Sequence, residues 1–225
     1  MYHHHKKIPK TRQGFFSANQ ETLISFAVAI FCFFSSSFFP TQNTAQIITK
    51  NIFFLVLLPS LYIKLILNKN LSDFGWNLKH NALALRWGIG VTIFTLFLFY
   101  LMLNFSQFKS DYILEDYIKN SFWLFLVYEL IIINFRVFIF SYFFQGFLLS
   151  IFQKQFGQLA ITIQAGLFFA LFFFTKTISW QIAPLIFLSI AGGFLAYKTK
   201  SFFYSYFMSI FVIIILDAYV IYLSK

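Results

Sequence analysis

The sequence predicts an all-α fold, a polytopic transmembrane helical bundle of about seven spans. Three observations carry that prediction. Apolar runs approaching the roughly 20 residues needed to cross a bilayer recur along the whole chain. Only 11% of the residues are charged and mean hydropathy is +0.76, where a soluble domain carries about 25% charged residues. The basic residues stand in short loops beside the apolar runs, where they set topology. A membrane β-barrel would instead alternate apolar and polar residues in short segments.

The formal net charge of +10 would favour nucleic acid on a soluble domain. In loops flanking spans it orients the chain instead, so nucleic acid is excluded as a partner. The 37 phenylalanines match the codon bias of an AT-rich gene and are not read as a cofactor box. The single cysteine, Cys32, lies inside the first apolar run and excludes an intramolecular disulfide.

Residues 1–20 form a basic cytoplasmic arm with Lys6, Lys7, Lys10 and Arg12, and residues 21–225 a single transmembrane helical domain. His3, His4 and His5 lie in that arm, where a solvated tail gives a metal no fixed geometry. The first span covers about Thr22 to Phe39 and ends at Pro40, which cannot continue a helix. No small-residue cleavage site follows it, so it is expected to stay in the mature protein. The second span covers about Ile52 to Leu67. An amphipathic piece from Leu71 to His80 follows, with Ser72 or Asp73 as a helix cap and Trp76 at headgroup depth.

The third span covers about Trp87 to Phe105, and the acidic loop Ser106 to Asn120 precedes the fourth, Phe122 to Phe152. That fourth run is long enough to tilt, bend or project beyond the lipid. The fifth, sixth and seventh cover Leu159 to Phe174, Ile178 to Tyr197 and Phe202 to Leu223. Gly166 with Ala170, and Ser189 with Gly193, are the small-residue pairs expected at close helix contacts.

An odd number of spans puts the termini on opposite sides. With the N-terminus inside, the arm, Lys64, Lys69, Lys79, Arg86, Lys154, Lys198 and Lys200 place eleven basic residues in the cytoplasm. Lys50, Lys109, Lys119, Lys176 and Lys225 are the five outside. Eleven against five predicts a cytoplasmic N-terminus and an external C-terminus.

Glu129, Arg136 and Asp217 lie at membrane depth, where an ionised group costs several kcal/mol unless paired or wetted. On an α-helix Glu129 and Arg136 fall within about 20° of one face, with a rise of about 10 Å between them. Two readings are open. The three line a polar cavity facing the bundle interior, with Glu129 and Asp217 sharing a proton or a cation, or Glu129 and Arg136 form a pair that fixes helix register without a ligand and Asp217 is an acid near the outer headgroups.

From Phe140 the sequence reads FSYFFQGFLLSIFQKQFGQLAITIQAGLFFALFFF. The surroundings Phe143-Phe144-Gln145-Gly146-Phe147-Leu148, Gln153-Lys154-Gln155-Phe156-Gly157 and Phe169 to Phe173 resemble the core of the CPBP family. These are the CAAX-protease and bacteriocin-processing intramembrane proteases, also called Abi. The stretch Gly192 to Ser201 is similar to the turn before that family's third motif. The resemblance runs from Phe140 to about Val212, within a CPBP-like core of about 122–223. It implies a bacterial cytoplasmic (inner) membrane and a membrane metalloendopeptidase, using a glutamate pair, an arginine and two histidines.

None of those chemical groups is present. The glutamate pair falls on Phe140 and Ser141, the arginine on Gln145, and the histidines on Phe173 and Ser209, with Ile213 in the last motif's acidic or amide position. Activating water needs a carboxylate base and imidazole ligands around one point. The remaining histidine, His80, is in a loop. No catalytic residue, metal or cofactor is therefore expected.

The function expected is that of an inactive CPBP-like scaffold or subunit. Its partner would be another integral membrane protein, lipid or a lipid-linked client. Two alternatives stand: an active endopeptidase with chemistry rearranged onto Glu129 and Asp217, and a small transporter or ion-coupled channel.

Overall fold

The structure is a computed structural model that describes residues 18–78, 82–105, 108, 112, 114–175 and 182–223. The basic arm with its histidines, apart from residues 18–20, and His80 lie outside the described residues. All regular structure among the described residues is helical. Helix α1 spans Ala18–Phe38, and Pro40 bars its continuation. Helix α2 runs over Thr44–Ile66 and starts eight residues before the sequence-based boundary. Its cap is Asn43, whose Oδ1 accepts from the Gln46 amide at 2.9 Å. The first turn is therefore polar on one side, which hides it from a hydropathy reading.

Helix α3 covers Ala82–Phe105. Helix α4 runs unbroken over Phe122–Phe156 and is capped at Ser121. Its 35 residues reach about 52 Å, against about 30 Å of hydrocarbon. Helices α5, α6 and α7 cover Leu159–Phe174, Ala183–Thr199 and Phe202–Leu223. Pro184 sits in the first turn of α6, where its missing N–H costs nothing.

Five helices, α1, α2, α3, α4 and α7, are long and apolar enough to cross a membrane. At 16 and 17 residues, α5 and α6 are apolar but shorter. Large apolar side chains such as Phe31, Ile93, Trp123 and Phe211 are exposed on the outside. This is the surface of an integral membrane protein.

Two apolar clusters make the interior. One joins α1, α2, α5 and the second half of α4 through Cys32, Leu55, Phe144, Phe147 and Phe168. The other joins α3, α6 and α7 through Phe99, Leu195, Val212 and Leu216, with Val137 of α4. Helix α4 belongs to both. Ser141 to Leu148 are all buried, so that stretch has no lipid face.

The segment Leu71–Phe74 forms a 3-10 turn whose N-cap, Asn70, makes no side-chain cap bond. Gly75 then adopts φ +89, and its carbonyl accepts from the Phe202 amide at 3.3 Å. Trp76, expected at headgroup depth, instead packs among Phe138, Tyr142, Phe202 and Phe203. The loop is drawn in because Gly75 and Gly146 approach one another with no side chains between, 3.5 Å separating a Cβ built on Gly75 from the Gly146 Cα.

Candidate functional site

The positions aligned with the protease motifs can be located one by one. Helix α4 carries Phe140, Ser141 and Gln145, and α7 carries Ser209 and Ile213. All five line one small void of about 20 Å³, with Ser189 of α6 and Phe168 of α5. Such a space has room for about one water. Phe173 does not join them: it is 62% exposed on the outer face of α5. The rings that reach inward from that helix are Phe168 and Phe172, whose centroids lie 5.4 and 6.2 Å from Phe140.

Beside the void lies a polar layer built on a glycine pair. Gln145 accepts from the Ser205 hydroxyl. The Gln164 amide donates to the Ser189 carbonyl at 2.8 Å. A Cβ added at Gly192 would overlap Ser205 and Gln145, and one at Gly193 would overlap Gln164. The missing side chains of α6 thus let an amide from α4 and an amide from α5 close on its backbone from two sides. This spends the polar capacity of Gln145 and Ser205 on each other. Of the small residues expected at contacts, Ser189 and Gly193 are at this one. Gly166 is not: no atom lies within 4 Å of a Cβ added there.

The three intramembrane charges divide into two places. Glu129 and Asp217 are buried neighbours on α4 and α7, 1% and 2% exposed. Asp217 Oδ1 accepts from the Tyr112 hydroxyl at 2.5 Å. Neither Glu129 oxygen has a conventional donor among the described residues. Two facing carboxyl groups satisfy each other when they share one proton. Burial, followed by the neighbouring Asp217, holds the Tyr112 hydroxyl well above the ordinary tyrosine range, so Tyr112 stays a donor.

Arg136 does not face Glu129. Glu129 stands in a π-helical turn, Tyr128–Ile133, and each residue of it advances the helix by roughly 80° rather than 100°. Across the turn this accumulates to roughly a quarter of a rotation. Arg136 therefore opens onto a separate cavity of about 560 Å³ between α1, α2, α4 and α5. Its guanidinium carbon stands 5.9 Å from the ring centroids of both Phe140 and Phe172.

Tyr112, Gln164, Ser205 and Glu21 were not singled out by the sequence. Glu21 pairs with Lys69 and lies 3.9 Å from Lys154, tying the start of α1 to the loop after α2 and to the last turn of α4. Three of the four are neutral polar residues, common in any loop or helix, and only spatial proximity gives them a role. Among the described residues no three His, Cys, Asp or Glu side chains gather as a metal site. No protein-family model, curated protein or solved structure matches this chain.

Proposed function

We propose that the chain is a catalytically inactive CPBP-like integral membrane protein, a pseudoprotease acting as a scaffold or subunit for a membrane partner or a lipid-linked client. One observation carries this reading: Phe140, Ser141, Gln145 and Ser209 meet around a single small void. A hydrolytic centre there would need a carboxylate and imidazoles converging on water. A phenyl ring, two hydroxymethyl groups and an amide supply neither, and the amide is engaged by Ser205.

The proposal includes about seven spans in a bacterial cytoplasmic membrane, N-terminus inside and C-terminus outside. Three contacts support that orientation by gathering basic residues at one end. Lys69 and Lys154 meet Glu21, and the Asn77 amide donates to the Lys200 carbonyl at 2.9 Å.

Affinity purification of the tagged full chain in mild detergent, followed by identification of co-purifying proteins, tests the proposal. The expected result is one membrane protein at constant ratio across preparations. Repeated recovery of the chain alone counts against a scaffold.

The pairing of Glu129 with Asp217 favours a second reading, in which the two acids move a proton or act as a rearranged catalytic pair. Glu129→Gln and Asp217→Asn should then each abolish function at unchanged abundance. Full function in both variants removes that reading.

A further inference from the structure

We propose that the cavity between α1, α2, α4 and α5 binds one anionic phospholipid, with its phosphodiester between Lys50 and Arg136. The inference stands apart from the pseudoprotease reading, because none of its basic groups belongs to the aligned motif positions. Two cations, Lys50 and Arg136, line this one cavity, and no acidic residue lines it. A guanidinium and an ammonium lining one largely apolar cavity repel each other and cost free energy unless an anion joins them. Charge complementarity therefore names a ligand of negative charge.

The rest of the lining says what carries that charge. Thr41 and Thr44 add hydroxyl groups at the rim, the latter in the first turn of α2, where a helix start favours an anion. The remaining walls are largely apolar, with Phe140, Phe172 and Phe174 facing the space. A volume of about 560 Å³ exceeds what a bare phosphate fills, and apolar walls give such an ion nothing. The lining includes the ends of α1 and α5, where Phe38 and Phe39 are 61% and 53% exposed. Acyl chains leaving the cavity would run along these rings into the bilayer.

Arg136 and Lys50 are suited to different shares of the headgroup. The Arg136 guanidinium carbon lies 5.9 Å from the centroids of both Phe140 and Phe172, and its planar fork suits bidentate contact with phosphate oxygens. Lys50 is half-buried, with its ammonium 3.5 Å from the Phe39 carbonyl, and acts as a point charge on a flexible stem.

The test uses the purified full chain in mild detergent, with thermal unfolding followed as lipid is added. Phosphatidylglycerol should raise the unfolding midpoint saturably. Phosphatidylcholine and glycerol phosphate should not, at matched concentration. Lys50→Gln should raise the half-saturating phosphatidylglycerol concentration about fivefold, the effect of one basic residue near an anionic headgroup. Arg136→Lys should retain the response, and Lys50→Gln with Arg136→Gln should lose it. Equal shifts from the two lipids, a shift from glycerol phosphate, or an unchanged half-saturation in Lys50→Gln overturns the proposal. The Lys50 variant decides the matter by itself if Arg136→Gln does not fold.

Discussion

At Gly192 the backbone of α6 lies against Gln145 and Ser205 with no room for a methyl group. Gly192→Ala must push the Gln145 amide off its hydroxyl partner, at a cost of about 1–3 kcal/mol for overpacking. Gly166→Ala adds the same atom in open space and is expected to be neutral or slightly stabilising, since alanine is the better helix former. Unfolding midpoints of the two variants in detergent check the contrast; equal losses would contradict the packing. Gly193 was legible, with Ser189, as a small-residue contact, but Gly192 and the partners of both glycines were not. Nothing in a linear pattern marks Gln145 and Gln164 as the groups that need the space.

The acid pair makes a second residue-scale prediction. Asp217→Ala leaves a buried hydroxyl of Tyr112 without its acceptor, which costs about 1–3 kcal/mol. Tyr112→Phe removes the donor and should cost less. Because folding raises the Tyr112 hydroxyl above the ordinary tyrosine range, its contribution is complete below the unfolded value of about 10 and fades as pH rises through the folded value. The wild type should lose stability at strongly alkaline pH more steeply than Tyr112→Phe. Parallel pH profiles would show that Tyr112 is not the group concerned.

Helix α4 sets which side chains can meet. Its apolar length was legible in the sequence. The π-helical turn at Tyr128–Ile133 was not, because its residues Tyr-Glu-Leu-Ile-Ile-Ile carry no Pro or Gly to announce it. Ideal-helix arithmetic therefore put Glu129 and Arg136 on one face, and the extra residue in the turn separated them. The same limit applies to α5, where Phe173 was matched by spacing while Phe172 occupies the interior at 3% exposure. In a run of three phenylalanines, composition cannot distinguish the inward ring from its neighbour.

The loop between α2 and α3 tests how elements lock together. Gly75 combines φ +89 with a built Cβ only 3.2 Å from the Phe202 nitrogen. Gly75→Ala should release the segment from α7, exposing Trp76 and its aromatic neighbours. Limited proteolysis within residues 68–81 should then speed up well before global unfolding. Unchanged cleavage would mean the loop is held by its aromatic contacts alone.

At the scale of the whole molecule, the apolar runs foretold the cores of α1 to α7, while the short helix Asp116–Lys119 lies in a stretch read as loop. Their ends required local chemistry, such as the Asn43 cap that extends α2. What makes the bundle a particular protein is the pairing of its two clusters across α4, with Gln145 hydrogen-bonded to Ser205 and Gln164 to Ser189 beside the junction. If the chain works by binding, its specificity belongs on the exposed apolar surface and in the Arg136 cavity, since Phe140, Ser141, Gln145 and Ser209 surround a void of only about 20 Å³. The most direct test is native mass spectrometry of the full chain released from its membrane in mild detergent. The account predicts a mass equal to this chain plus a second membrane protein in fixed stoichiometry. A spectrum containing only the bare chain would contradict it.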